Sequence, residues 1–152
     1  MNVLQKLRSI ANYQFGSGVG RVLFPENIEV RFSSRTGKVK EVYLDGKLLA
    51  TLKPTGNLSL TVEGFKRIVK SFAPPRFRVV VQKEAVEFVR KGRDVFAKYV
   101  KDVDLEIRPG EEVVVVDDND EVLAVGKAVL SGREMLAFKR GVAVKVRHGV
   151  ED

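Results

Sequence analysis

Residues able to do covalent chemistry are scarce in this chain of 152. It has no cysteine and a single histidine, His148, which excludes disulfides, thiol nucleophiles and thiolate metal sites and leaves little for zinc or imidazole catalysis. Ser131 could be imagined as a nucleophile with His148 as its base. The run Ser131-Gly132-Arg133-Glu134, however, reads as a capping box, which uses serine and glutamate to start a helix. His148 continues the parity of Val142, Val144 and Val146, which turns it inward. Asp117-Asp118-Asn119-Asp120-Glu121 offers oxygens to calcium but lacks the glycine and distal glutamate of an EF-hand loop, and fits a hairpin turn. Gly16-Ser17-Gly18-Val19-Gly20 follows a helix rather than a strand and lacks the Gly-Lys-Ser/Thr that grips phosphate, so it reads as a turn. No catalytic residue, metal or cofactor is assigned, and the chain is not expected to be an enzyme.

The informative chemistry is non-covalent. In residues 139–149, "KRGVAVKVRHG", period-two alternation puts Val142, Val144 and Val146 on one strand face and Ala143, Lys145 and Arg147 on the other. One face is buried; the other is wet and positive. In Lys91-Gly92-Arg93-Asp94-Val95-Phe96-Ala97-Lys98 a helix end, a glycine and a basic strand start come together. Glycine would let a backbone approach a phosphate closely; equally, Arg90 and Lys91 complement the helix dipole and Gly92 is its cap. The residues alone leave both readings open.

Charge is uneven along the chain. Residues 1–76 hold 13 Lys/Arg against 5 Asp/Glu, whereas 77–152 hold 14 against 15. Residues 102–122 concentrate 9 acids beside 1 base, leaving a basic remainder next to an acidic pole. That polarity suits a polyanion, and it equally suits a solvated surface of the heat-adapted kind. No apolar run approaches the ~20 residues of a membrane span and no hydrophobic signal segment is seen, so a cytoplasmic protein is expected.

The elements that must position these residues follow from periodicity. Helical spacing covers 3–15 and ends at Gly16. Strands at 28–32, 39–44, 48–52 and 58–62, joined by turn signals that include Asp45-Gly46, predict an antiparallel meander, and a helix follows at 63–72. Ala73-Pro74-Pro75 stops that helix. The expected organisation is a small α+β domain over 1–73, a linker over 74–76 and a second domain over 77–152. In the second domain strands are predicted at 77–81, 95–100, 113–116, 122–128 and 142–147, with helices at 83–91 and 133–139.

The words "VRKGRDVFAKYV", "IRPGEEVVVVDDNDEVLAVGKAVLSGREMLAFKRG" and "VAVKVRHGVE" closely resemble the PUA domain, over about residues 77–151. The form resembled most is the one that ends archaeal tRNA-guanine transglycosylases. The preceding "LRSIANYQFGSGVGRVLFP" and "TGKVKEVYLDGKLLATLKPTGNLSLTVEG" resemble the small α+β domain before PUA in those enzymes. The resemblance implies an α+β chain whose second domain is a mixed, six-stranded pseudo-barrel binding structured RNA by backbone and shape. Carried over by position, the RNA-binding residues are Lys91, Gly92, Arg93, Asp94, Val95, Phe96 and Lys98, with Lys145 and Arg147 on the last strand nearby. In the transglycosylases this domain holds the tRNA acceptor stem. Many PUA domains have Pro-Gly where this chain has Lys98-Tyr99, so contacts there are expected to differ. The resemblance does not extend to a catalytic barrel. The expectation is a non-catalytic protein that binds tRNA and serves a modification enzyme acting in trans. The alternatives are a ribosome-assembly factor binding rRNA and a scaffold subunit without specific RNA binding.

Overall fold

In the computed structural model, which describes residues 2–152, the chain forms two compact units, Met1–Ser71 and Phe72–Asp152. The fold class is mixed α+β, as expected.

The first unit opens with helix α1, Val3–Phe15. Asn2 caps it through a reciprocal box with Gln5, which satisfies donors that a helix start leaves open. A short helix α2, Val19–Leu23, follows where the sequence suggested only a turn. Its approach to α1 requires glycine, because a Cβ at Gly20 would lie 2.3 Å from the Arg8 carbonyl oxygen. The Asn12 side chain accepts from the Gly20 amide at 2.7 Å, so the glycine-rich loop is occupied by the protein itself. Strands β1 (Glu29–Phe32), β2 (Val39–Leu44), β3 (Lys47–Leu52) and β4 (Leu58–Leu60) form the antiparallel meander in that order. Gln14 completes the edge: its amide donates to the Leu58 carbonyl and accepts from the Leu58 amide, at 2.9 and 2.7 Å. Helix α3, Val62–Ser71, supplies Phe65 and Ile68 to a core that also holds Leu7, Val42, Leu49 and Leu60.

The second unit contains β5 (Arg78–Val81), a 3-10 turn (Lys83–Ala85), α4 (Val86–Arg90), β6 (Val95–Phe96), a second 3-10 turn (Ala97–Tyr99), β7 (Val100–Val103), β8 (Glu112–Val116), β9 (Val122–Ala128), α5 (Gly132–Ala137) and β10 (Val142–Gly149). The predicted strand over 95–100 is thus broken by a tight turn, and the predicted helix over 83–91 begins as a 3-10 turn. Sheet order is β6-β10-β9-β8-β5-β7, with β5 and β8 parallel and the other pairs antiparallel. The two edge strands, β6 and β7, are separated by only Ala97–Tyr99. A flat sheet would hold its outer strands about 24 Å apart, beyond the roughly 10 Å that three residues span. The sheet must therefore curl until its edges nearly meet, and this gives the barrel-like form. Its interior is lined by Val79, Val81, Val89, Val95, Val113, Val115, Leu123, Met135 and Val144.

Two irregularities revise the simple alternation of the last strand. Between Val142 and Val144 the register with β6 shifts, and Ala143, expected on the wet face, is fully buried. Between Val146 and His148 the register with β9 shifts again. A bulge adds one residue and reverses the parity beyond it. His148, expected to point inward with the valines, is consequently exposed, its side chain 61% accessible.

Candidate nucleic-acid interface

The segment from Arg90 to Phe96 lies alongside β10 for most of that strand's length. Phe96 pairs with Val142, and Val95 with Val144. The Asp94 carboxylate accepts from the Val146 amide at 2.9 Å, which extends the contact along β10 past the end of β6. Farther along, a Cβ on Gly149 would meet the Arg90 carbonyl oxygen at 2.3 Å and the Gly92 nitrogen at 2.6 Å. Only glycine permits that approach. The helix end, the loop and β10 therefore make one continuous strip.

Along this strip Lys91, Arg93, Lys98 and Lys145 are exposed, and Phe96 presents its ring with 46% of its surface accessible. The Lys98 ammonium lies 5.1 Å from the Tyr99 ring centroid. Val95 is 1% exposed, so its side chain belongs to the core and only its backbone could touch a ligand. Asp94 serves the strip internally. Gly92 has φ +95°, the left-handed conformation of a helix cap. The side on which it lacks a Cβ faces Asp152, whose carboxylate oxygen would be 2.8 Å from an added Cβ. The helix-cap reading of Gly92 thus has direct geometry.

Residues 149–152 fold back on the helix end. The Glu151 amide donates to the Arg90 carbonyl at 2.8 Å, and Arg90 donates to the Glu151 carboxylate at 2.5 Å. That bond, followed by the charge of Glu151, raises the Arg90 guanidinium above its ordinary pKa. The charge of Arg90 is accordingly matched within the protein.

Arg147 differs from Lys145. Its guanidinium forks onto Glu112, at 2.6 Å from Nη2 to Oε1 and 3.1 Å from Nη1 to Oε2. The Glu112 side chain is 4% exposed and that of Arg147 is 29% exposed. Lys127, which the sequence reading missed, stands directly across from Lys145 on β9 and from Glu112 on β8. It is the one exposed residue of β9. A lysine interrupting an otherwise apolar strand was the signal available for it. Lys145, Lys127 and the Arg147–Glu112 pair share one face, because directly paired residues point the same way.

The acidic turn is largely committed to structure. The Asp117 carboxylate accepts from the amides of Asn119 and Glu121, at 2.9 and 3.0 Å. Asp120 clamps Arg78, and Asp118 pairs with Lys101 at 2.6 Å. Among the described residues no group of three or more His, Cys, Asp or Glu is arranged to hold a metal ion, and no helix is long and apolar enough to cross a membrane. The Ser131 capping box forms, with the hydroxyl accepting from Glu134 at 3.2 Å and the Glu134 carboxylate accepting from Ser131 at 2.9 Å.

Residues 77–150 match the family profile of the PUA domain. The second unit carries a PUA domain. Residues 5–75 match the patch-forming domain C2 of tRNA-guanine transglycosylase, so the PUA domain here follows the domain type suggested by the sequence. The chain is similar to tRNA-guanine(15) transglycosylase of Pyrococcus furiosus, with 47% identity over 152 residues, covering 99% of this chain and 26% of that protein. The same-named protein of Methanothermobacter thermautotrophicus is 42% identical over 147 residues, covering 96% of this chain and 22% of its own length. The chain thus spans about a quarter of the curated relatives it matches. Among solved structures, a hypothetical protein of Pyrococcus horikoshii superposes with TM-score 0.77 at 26% identity, covering 98% of this chain and 90% of that one. A conserved PUA domain protein of Thermoplasma acidophilum shares the fold, with TM-score 0.69 at 22% identity, covering 99% and 93%.

Proposed function

We propose that this PUA-domain chain is a non-catalytic RNA-binding protein that grips tRNA in the acceptor-stem region and serves a cytoplasmic modification enzyme acting in trans. The observation that carries this reading is the similarity, through both units, to the named tRNA-guanine(15) transglycosylases of archaea. Supporting it is the strip of exposed Lys91, Arg93, Lys98 and Lys145, joined by Lys127, with Phe96 beside them. Ammonium and guanidinium groups on a rigid strip meet phosphates of a folded RNA and set its register without reading sequence. Gly92, Asp94 and Val95 hold the strip in shape. Arg147, already forked onto Glu112 so that its charge is matched within the protein, can meet RNA only through its partly exposed guanidinium edge.

Competition binding tests the reading. Folded tRNA and a structured rRNA fragment of equal length compete against labelled tRNA for the protein at fixed salt. A strong preference for tRNA supports it; equal competition points to a ribosome-assembly role, and affinity equal to that of an unrelated basic protein points to a scaffold. Addition of the chain to a transglycosylase catalytic unit lacking these domains should lower its KM for tRNA and leave kcat unchanged.

A further inference from the structure

The loop at the centre of the basic strip is partly covered by the chain itself. Arg90, Lys91 and Arg93 crowd the end of α4 around Gly92. The amides of Gly92 and Arg93 are spent on the Val89 and Phe88 carbonyls, at 2.9 and 3.1 Å. An anion arriving here is therefore met by charged side chains rather than by open backbone donors. Lys91 and Arg93 are exposed, whereas Arg90 already holds the Glu151 carboxylate at 2.5 Å. The Asp152 carboxylate covers the bare side of Gly92, where it would lie 2.8 Å from an added Cβ. One acid takes a cation; the other takes the space.

Polar contacts alone hold the two acids there. The Gly149 amide donates to the Asp152 carboxylate at 3.0 Å, the Asp152 amide to the Gly149 carbonyl at 3.3 Å, and the Glu151 amide to the Arg90 carbonyl at 2.8 Å. His148 Nδ1 lies 3.9 Å from the second Asp152 oxygen. The core asks for neither acid. The Val150 amide, donating to the Leu123 carbonyl at 2.9 Å, completes the bonding of this end of the chain to β9, and Glu151 and Asp152 beyond it are exposed. The side chains of Arg90 and Glu151 are 32% and 45% accessible, and ion pairs so open to water are weakly held.

We propose that Glu151 and Asp152 form an acidic strap that occupies the Arg90–Arg93 loop in place of an RNA phosphate, and that a bound RNA displaces it. The inference rests on the reading of the chain as an RNA-binding protein and adds a control of that same site. A lone phosphate gains little at the loop, because it exchanges one anion for another. A folded RNA already held at Lys127 and Lys145 presents its next phosphate at high effective concentration, which drives the exchange. The strap thus penalises ligands that touch the loop alone and admits those that engage the whole strip.

The test uses the full chain and an intact tRNA transcript. The variant Glu151→Gln/Asp152→Asn removes both charges and keeps an acceptor oxygen at each position, and thermal denaturation confirms its fold. It should bind tRNA roughly fivefold more tightly than the parent. Glu106→Gln/Glu111→Gln removes two exposed acids of the same unit away from the strap; it measures the long-range field alone and should gain less than about twofold. In the isotope-labelled parent chain, the backbone order parameters of Glu151 and Asp152 should fall when tRNA saturates the protein, while that of Val150 holds. This second measurement decides the matter even where the variant fails to fold. A gain in the strap variant no larger than that of the Glu106/Glu111 variant, or order parameters unchanged in the saturated complex, overturns the inference and leaves RNA binding by the strip standing. A parent chain that binds tRNA no better than an unrelated basic protein removes the underlying reading, and the role of the strap with it.

Discussion

Arg147 and Glu112 form a forked ion pair on the barrel-like sheet, with Nη1 donating to Oε2, Nη2 donating to Oε1 and Glu112 almost fully buried. Alternation in the sequence places Arg147 beside Lys145 on a wet face, but Arg147, at the register shift between Val146 and His148, is committed to the Glu112 carboxylate. The two basic residues of β10 therefore have different duties.

Separate substitutions should expose that difference. Arg147→Ala leaves the Glu112 carboxylate buried without this partner, at an expected cost of about 2 kcal/mol, below the range for fully buried pairs because Arg147 is partly exposed. Thermal denaturation should show the loss, and Glu112→Gln in the same chain should restore part of it. Equal melting temperatures for parent and Arg147→Ala would show that the fork contributes nothing.

Lys127→Ala with Lys145→Ala should do the reverse. Both side chains are exposed on paired strands, so stability changes little. If each meets a phosphate, the magnitude of the salt slope for tRNA binding falls by about 2, with similar weakening on stems of different sequence. Fluorescence anisotropy over a salt series measures both; a retained slope would leave these lysines merely solvated.

Arg78 is fully buried and held by Asp120 through two bonds, at 3.0 and 2.7 Å. It also donates to the Arg76 carbonyl at 3.0 Å. Asp120 sits in the left-handed region at φ +61°, which asparagine also tolerates. Asp120→Asn therefore preserves the turn while removing the charge opposite a buried guanidinium, and should cost about 3 kcal/mol by denaturant unfolding. A loss below about 0.5 kcal/mol would mean the guanidinium is satisfied without that charge.

Much of this architecture was legible because hydrophobic period and turn chemistry agreed. The meander from Val39 to Leu60, α1 and the Ser131 capping box all follow from local signals. What escaped depended on pairing. The break at Ala97–Tyr99 arises because the sheet must close, and α2 forms where Gly20 can press against Arg8. The outward turn of His148 comes from a register shift between β10 and β9, and Asp94 reaches the Val146 amide from 52 residues away. None of these is encoded in a short window. In the candidate site, Lys91, Arg93, Lys98 and Lys145 are surface residues of one strip, while Val95 packs inward and Lys127 was overlooked because it stands alone on an apolar strand.

The most direct measurement is tRNA affinity of Lys91→Glu/Arg93→Glu, in the full chain at fixed salt, with circular dichroism confirming the fold. These two exposed residues flank Gly92 on the loop between α4 and β6, at the centre of the proposed strip. Binding should weaken at least roughly tenfold with an unchanged melting temperature; parent-like affinity in a folded variant would contradict RNA binding through this strip.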